Sequence, residues 1–142
     1  MKTVLKGILN ASILALLLSL IYCCDDDDEG KGMAGFRKFK GEVVVSPSFT
    51  QIGDTVTFDI YRSFDWIHEV NGKIPVLTVS YYLDGVKVAE ATSEDEKPYA
   101  VQYVVTDDLE LRTYEVTAHC VSNWENYEIR EEITPAKLTI TK

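Results

Sequence analysis

From Glu42 onward, apolar and polar residues alternate with a period of two, which is the pattern of strands with one buried and one solvated face. Three stretches show it clearly: Thr55–Tyr61, Val76–Leu83 and Thr113–Val121. In each stretch every second residue is apolar and is predicted to point into a core. These predicted core residues are Val56, Phe58 and Ile60, then Leu77, Val79, Tyr81 and Leu83, and finally Tyr114, Val116, Ala118 and Cys120.

Turn-forming residues separate the strands. Asp84-Gly85 predicts a two-residue hairpin turn, because the tight primed turn requires positive φ and glycine permits it. Pro47 ends a short strand that begins at Glu42, and Thr134-Pro135 interrupts the last strand region. About seven strands in roughly 100 residues, with no helical periodicity, predict an all-β domain, an antiparallel β-sandwich over residues 42–142.

The N-terminal segment has a different pattern. Lys2 and Lys6 precede the apolar run Ile8–Tyr22, whose length of about 15 residues is short of the roughly 20 that a membrane-spanning helix needs. A basic start followed by a short apolar core is typical of a secretory signal peptide, here residues 1–23. The alternative interpretation is a buried N-terminal helix. Residues 24–41, acidic at first and then rich in glycine and lysine, are predicted to be a flexible tether, on which Phe36 and Phe39 are the exceptions that can dock on the domain.

The net negative charge of the chain argues against two classes of binding partner. The chain has 14 basic and 23 acidic residues and a net charge of −9, and loss of residues 1–23 would remove two lysines and bring it to −11. Such a surface repels nucleic acid and anionic lipid headgroups, so neither is expected as a partner. Besides Cys23 and Cys24 there is only Cys120, so no disulfide is expected within the domain.

The residues Ile21-Tyr22-Cys23-Cys24 resemble the lipobox of bacterial lipoproteins, in which a cysteine is acylated and becomes the new N-terminus. The resemblance implies lipidation of Cys24, with Cys23 as the alternative, and a membrane partner reached through the lipid alone. A plain signal peptide with a stray cysteine pair is the other interpretation. The run that follows resembles the signal that sends lipoproteins of certain Gram-negative bacteria to the outer face of the outer membrane. It consists of Asp25, Asp26, Asp27, Asp28 and Glu29, which could also be a solvated tail.

The segments Val79–Val88, Pro98-Tyr99 and Thr113–Ala118 resemble bacterial immunoglobulin-like domains, with Gly53–Phe58 as the usual second-strand entry. This resemblance implies an immunoglobulin-like sandwich of about seven strands. It also implies that Tyr114 forms a tyrosine corner, with its hydroxyl bonded back to the turn around residues 108–111. The alternative is a core tyrosine without that role. The fold itself does not determine a function.

Few residues are candidates for catalysis or metal binding. His68 is expected in a loop, and strand alternation points the side chains of His119 and Cys120 to opposite faces, so they cannot act as a pair. No phosphate loop, metal-spaced cluster or hydrolase motif occurs in the sequence. We therefore expect neither an enzyme nor a metal or organic cofactor.

Aromatic residues are the best candidates for a binding site. Phe64 and Trp66 are expected in the connection between the second and third strands, and Trp124 and Tyr127 in the connection before the last strand. In an immunoglobulin-like sandwich these loops lie at the same end, where the rings can stack on a sugar or contact a protein. The alternative is that the tryptophans plug the end of the sandwich. The two functional interpretations are a cell-surface binding or adhesion module for a glycan or protein ligand, and a structural or accessory subunit of a larger outer-membrane complex.

Overall fold

The computed structural model describes residues 34–142. The signal peptide, the cysteines Cys23 and Cys24 and the acidic run 25–29 lie outside these described residues. Within them the fold is built from strands and turns, without a helix. The strands are β1 (Gly35–Ser46), β2 (Phe49–Gln51), β3 (Thr55–Ile67), β4 (Leu77–Leu83), β5 (Val86–Thr92), β6 (Val101–Val104), β7 (Thr113–Ser122), β8 (Tyr127–Thr134) and β9 (Ala136–Thr141).

The strands form two sheets that share one hydrophobic core, so the predicted all-β, sandwich-like arrangement is confirmed. The front sheet has the order β6-β3-β1-β8, and the back sheet has the order β2-β9-β7-β4-β5. The prediction of a purely antiparallel sandwich was wrong, because β1 pairs with β8 and β2 pairs with β9 in parallel. The β1–β2 and β8–β9 segments run side by side, and both change sheets, at residues 47–48 and at Pro135.

The core follows the predicted alternation. Inward residues of β3, β4 and β7 are buried while most of their neighbours are exposed or half-buried. The buried set includes every residue predicted for it: Val56, Phe58, Ile60, Leu77, Val79, Tyr81, Leu83, Tyr114, Val116, Ala118 and Cys120. Removal of this apolar surface from water is the main force that holds the two sheets together.

Two local predictions also agree with the structure. Asp84 and Gly85 have φ of 46° and 85° and join β4 to β5, with Leu83 opposite Val86. Both turn residues thus have the positive φ that a primed hairpin turn requires. The backbone N–H of Glu110 donates to the hydroxyl oxygen of Tyr114 at 2.8 Å, which is the backward hydrogen bond expected of a tyrosine corner.

The first strand begins earlier than the sequence suggested. Residues 35–41, predicted as part of the tether, belong to β1, which lies between β3 and β8 in the front sheet. Phe39 is buried in the core, and the Cα of Gly35 packs so closely on the Tyr127 ring that an added Cβ would lie 2.5 Å from it. The segment is ordered by long-range pairing with two strands, which its glycine- and lysine-rich sequence does not reveal.

Candidate functional site

An irregularity in the front sheet determines which side chains face solvent. Lys40 pairs with Phe64 and Gly41 pairs with Arg62, so Ser63 of β3 has no partner residue and forms a β-bulge. The Ser63 hydroxyl donates to the Lys40 carbonyl at 3.1 Å, which helps to satisfy the backbone at this point. A bulge adds one residue to one strand, and therefore reverses which face each later side chain occupies.

The bulge brings Phe64 and Trp66 onto the same outer face of the front sheet as Tyr61, so that three large aromatic residues lie in one line. Before it, Tyr61 is opposite the exposed Glu42; after it, Phe64 and Trp66 are opposite the exposed residues Lys40 and Lys38. Tyr61, Phe64 and Trp66 are 65%, 52% and 45% exposed. We call these three residues the aromatic column. Phe64 and Trp66 lie within a strand, not in the loop where the sequence placed them.

Other rings extend the column at its Trp66 end. The Phe36 ring lies 5.1 Å from Trp66, and the His68 ring stacks on Trp66 at 6.2 Å with an interplanar angle of 16°. The guanidinium of Arg130 lies 4.1 Å from the centre of the Phe36 ring, within cation–π distance. Phe36 and Tyr61 were not among the predicted site residues. The available signal was Gly41, because a glycine inside a strand often marks a bulge.

Charged groups border the column on the side of β1 and β8. A shallow depression of about 330 Å³ lies beside Phe64 and includes Lys38, Lys40, Arg130 and Glu132 among its walls. Lys40 pairs with Glu132 at 3.0 Å. Lys38 makes no ion pair with any residue in the described range 34–142. The surface thus combines flat apolar rings with groups that can donate and accept hydrogen bonds.

The second predicted pair of aromatics is placed differently. Trp124 is half-buried and packs edge-on against Tyr127, with 5.8 Å between ring centres and an angle of 84°. Tyr127 is only 6% exposed, and its hydroxyl donates to the His68 carbonyl at 3.0 Å. Its ring therefore packs within the fold and is not available for stacking on a ligand. No aromatic contact joins Trp66 to Trp124 within residues 34–142.

His119 and Cys120 point to opposite faces of β7, as predicted, with His119 exposed and Cys120 buried. One carboxylate oxygen of Glu131 lies 2.8 Å from Nδ1 of His119. The other accepts a hydrogen bond from the backbone N–H of Cys120, also at 2.8 Å. Burial, aided by the nearby Glu131 charge, raises the pKa of the Cys120 thiol to about 12. Since the thiolate is the nucleophilic form, this thiol is unreactive at neutral pH.

Over the described range 34–142 there is no group of three or more His, Cys, Asp or Glu residues arranged to hold a metal ion. The same residues include no helix of sufficient length and hydrophobicity to cross a membrane. No family model matches this chain, and neither a curated protein nor a solved structure shows significant similarity to it.

Proposed function

We propose that this chain is a non-enzymatic binding module that holds a glycan on its aromatic column. The observation that carries the proposal is the exposure of Tyr61, Phe64 and Trp66 in one line on a sheet face. Large aromatic side chains normally contribute most when they are buried, and a contiguous exposed set of them marks a binding surface.

The chemistry of the surface suits a sugar. A pyranose ring has an apolar face of C–H groups and a rim of hydroxyls, so it can lie on an aromatic ring while its edge forms hydrogen bonds. Same-face residues of a strand are about 7 Å apart, which lets neighbouring rings contact successive parts of one chain. Lys38, Lys40 and Glu132 supply donors and acceptors beside Phe64.

Replacement of Trp66 or Phe64 by alanine tests this function. Because central aromatic residues dominate such surfaces, we expect either change to weaken glycan binding by about tenfold or more. Binding to a glycan array would identify the ligand, and titration calorimetry would measure each variant. Phe49→Ala is the matched control, since Phe49 is 69% exposed but lies on β2 of the back sheet.

Glycan binding that is unchanged in both Trp66→Ala and Phe64→Ala would contradict the proposal. A protein partner on the same face is the second candidate, as in an accessory subunit, and the exposed residues Val44 and Val104 on this sheet favour it. In that case no glycan binds, and acrylamide quenches tryptophan fluorescence less in gently extracted complexes than in the purified chain.

We also propose that the fold is immunoglobulin-like and that lipid on Cys24 holds the protein at the outer face of the outer membrane. The Tyr114 hydrogen bond and the Asp84-Gly85 hairpin support the first statement. The lipobox-like residues and the acidic run 25–29 support the second. Labelled palmitate should enter the protein in its native host and should be lost in Cys24→Ser. Labelling that persists in Cys24→Ser but disappears in Cys23→Ser would show that Cys23 is the acylated residue.

A further inference from the structure

A second concave site lies between β3 of the front sheet and two segments that flank β4 and β5 of the back sheet. It is a cleft of about 250 Å³. Its polar lining includes Arg37, Arg62 and Tyr99, which project from the inner side of the front sheet or from the segment before β6. Its other lining residues are Ile67, Ile74, Pro75, Val76, Ser93, Glu94 and Pro98.

Two guanidinium groups that line this cleft share the carboxylate of Asp65. Arg37 is only 6% exposed; it donates from Nε to Asp65 Oδ1 at 2.6 Å and from Nη2 to Asp65 Oδ2. Arg62 also reaches Asp65, at 3.3 Å. Two positive charges thus face one negative charge, and several guanidinium N–H groups have no acceptor among the described residues. In this cluster of Arg37, Arg62 and Asp65, positive charge and hydrogen-bond donors are in excess, and Glu94, which also lines the cleft, adds one negative charge.

Tyr99 adds a hydroxyl to the cluster and is held in an unusual backbone conformation. Its φ is 67°, a value that residues other than glycine adopt rarely and at a cost. Three contacts fix it: its N–H donates to the Thr92 carbonyl at 3.0 Å, its carbonyl accepts from the Tyr81 hydroxyl, and its own hydroxyl accepts from Arg37 at 3.0 Å. Backbone strain of this kind is concentrated at functional sites.

Neighbouring groups keep the Arg37 side chain positively charged. Burial alone would lower the pKa of Arg37, but the hydrogen bond to Asp65 and the neighbouring charges outweigh it and raise that pKa. The guanidinium is therefore always protonated. Glu94 also lines the cleft, yet it forms no ion pair with Arg37 or Arg62 in the region covered by residues 34–142.

We propose that this cleft binds a small organic carboxylate with an apolar body. The carboxylate would accept hydrogen bonds from Arg62 and from the free N–H groups of Arg37, where planar guanidinium and carboxylate groups match in geometry. The apolar body would lie against the walls formed by Ile67, Ile74 and Pro98. This site is separate from the aromatic column, because Arg37 and Asp65 face inward, whereas Trp66 faces outward.

Matched pairs of small probes test the proposal on the full chain. Benzoate and benzamide have nearly the same shape but differ in charge, and hexanoate and acetate differ in apolar length. Titration followed by NMR should show benzoate and hexanoate shifting the resonances of Ile74 and the Arg62 side chain, with affinities at least about tenfold above those of benzamide and acetate.

Two variants test whether Arg62 binds the carboxylate group of the probe. Arg62→Gln should weaken benzoate binding by about tenfold, which is the effect of losing one hydrogen bond to a charged group. Arg112→Gln is the control, since Arg112 is equally exposed but pairs with Asp84 elsewhere. Unchanged urea midpoints would show that Arg62→Gln and Arg112→Gln are folded. Equal binding of benzoate and benzamide, or full benzoate binding in Arg62→Gln, would overturn the inference, and neither result depends on glycan binding.

Discussion

Arg37→Ala should lower the free energy of unfolding by about 3 kcal/mol, since removal of one partner from a buried ion pair leaves the other charge uncompensated. Arg37 is almost fully buried and makes three side-chain hydrogen bonds, two to Asp65 and one to Tyr99. Asp65 keeps its contact with Arg62, so the loss should lie at the lower end of the range for buried pairs. Urea unfolding followed by tryptophan fluorescence would measure it.

Arg62→Ala is the matched control for this measurement. Its side chain is 41% exposed and bonds to the same carboxylate, so its removal should cost less than about 1 kcal/mol. The double change Arg37→Met with Asp65→Leu should restore much of the stability, because a well-packed apolar pair avoids the cost of desolvating charges. The expectation fails if Arg37→Ala and Arg62→Ala destabilise the protein equally.

Gly41→Ala should cost about 2–3 kcal/mol and also abolish glycan binding, because it prevents the bulge from forming as observed. A Cβ at Gly41 would lie 2.5 Å from the Tyr61 carbonyl oxygen and 3.1 Å from a methyl group of Ile60. The backbone must move to relieve the first contact. Loss of the bulge would then shift the register, and a shift of one residue moves Phe64 and Trp66 to the inner face.

Gly72→Ala provides the comparison. Its Cβ would meet nothing within 4 Å, so the change costs only the strain of φ +69°, about 1 kcal/mol, and should leave glycan binding intact. Both variants would be compared by urea unfolding and by titration with the glycan ligand. A Gly41→Ala protein that retains full stability would show that the bulge tolerates a side chain.

The sequence predicts the core residues well in strands that have one buried and one solvated face along their whole length. In β4 and β7 every residue that the alternation predicts to be buried is buried, because one face packs on the core throughout; Ser80 of β4 is buried as well, although it lies on the other face. In β3 the same rule holds up to Ile60 and fails beyond it. If alternation continued past Ile60, Phe64 and Trp66 would be buried. They are exposed because the bulge at Ser63 changes the register, and this bulge is visible only in the pairing of β3 with β1.

Residues whose role depends on distant partners were missed. The sequence places Arg37 in a tether because the segment 30–41 is rich in glycine and basic residues, and nothing nearby in the sequence indicates Asp65 or Tyr99 as partners. The three come together because β1 lies beside β3 and packs across the core from the back sheet. The parallel pairs β1–β8 and β2–β9 were missed for the same reason, since each joins residues far apart along the chain.

The parallel pairing of β1 with β8 has a mechanical consequence. Tension between Gly35 at the start of β1 and Thr134 at the end of β8 would draw these two parallel strands in opposite directions along their common axis. The hydrogen bonds from the Gly35–Tyr127 pair to the Glu42–Thr134 pair would then be loaded in shear, so they share the force and must break together. A domain tethered through its first strand would therefore resist extension far better than one whose end strands can be peeled apart one bond at a time.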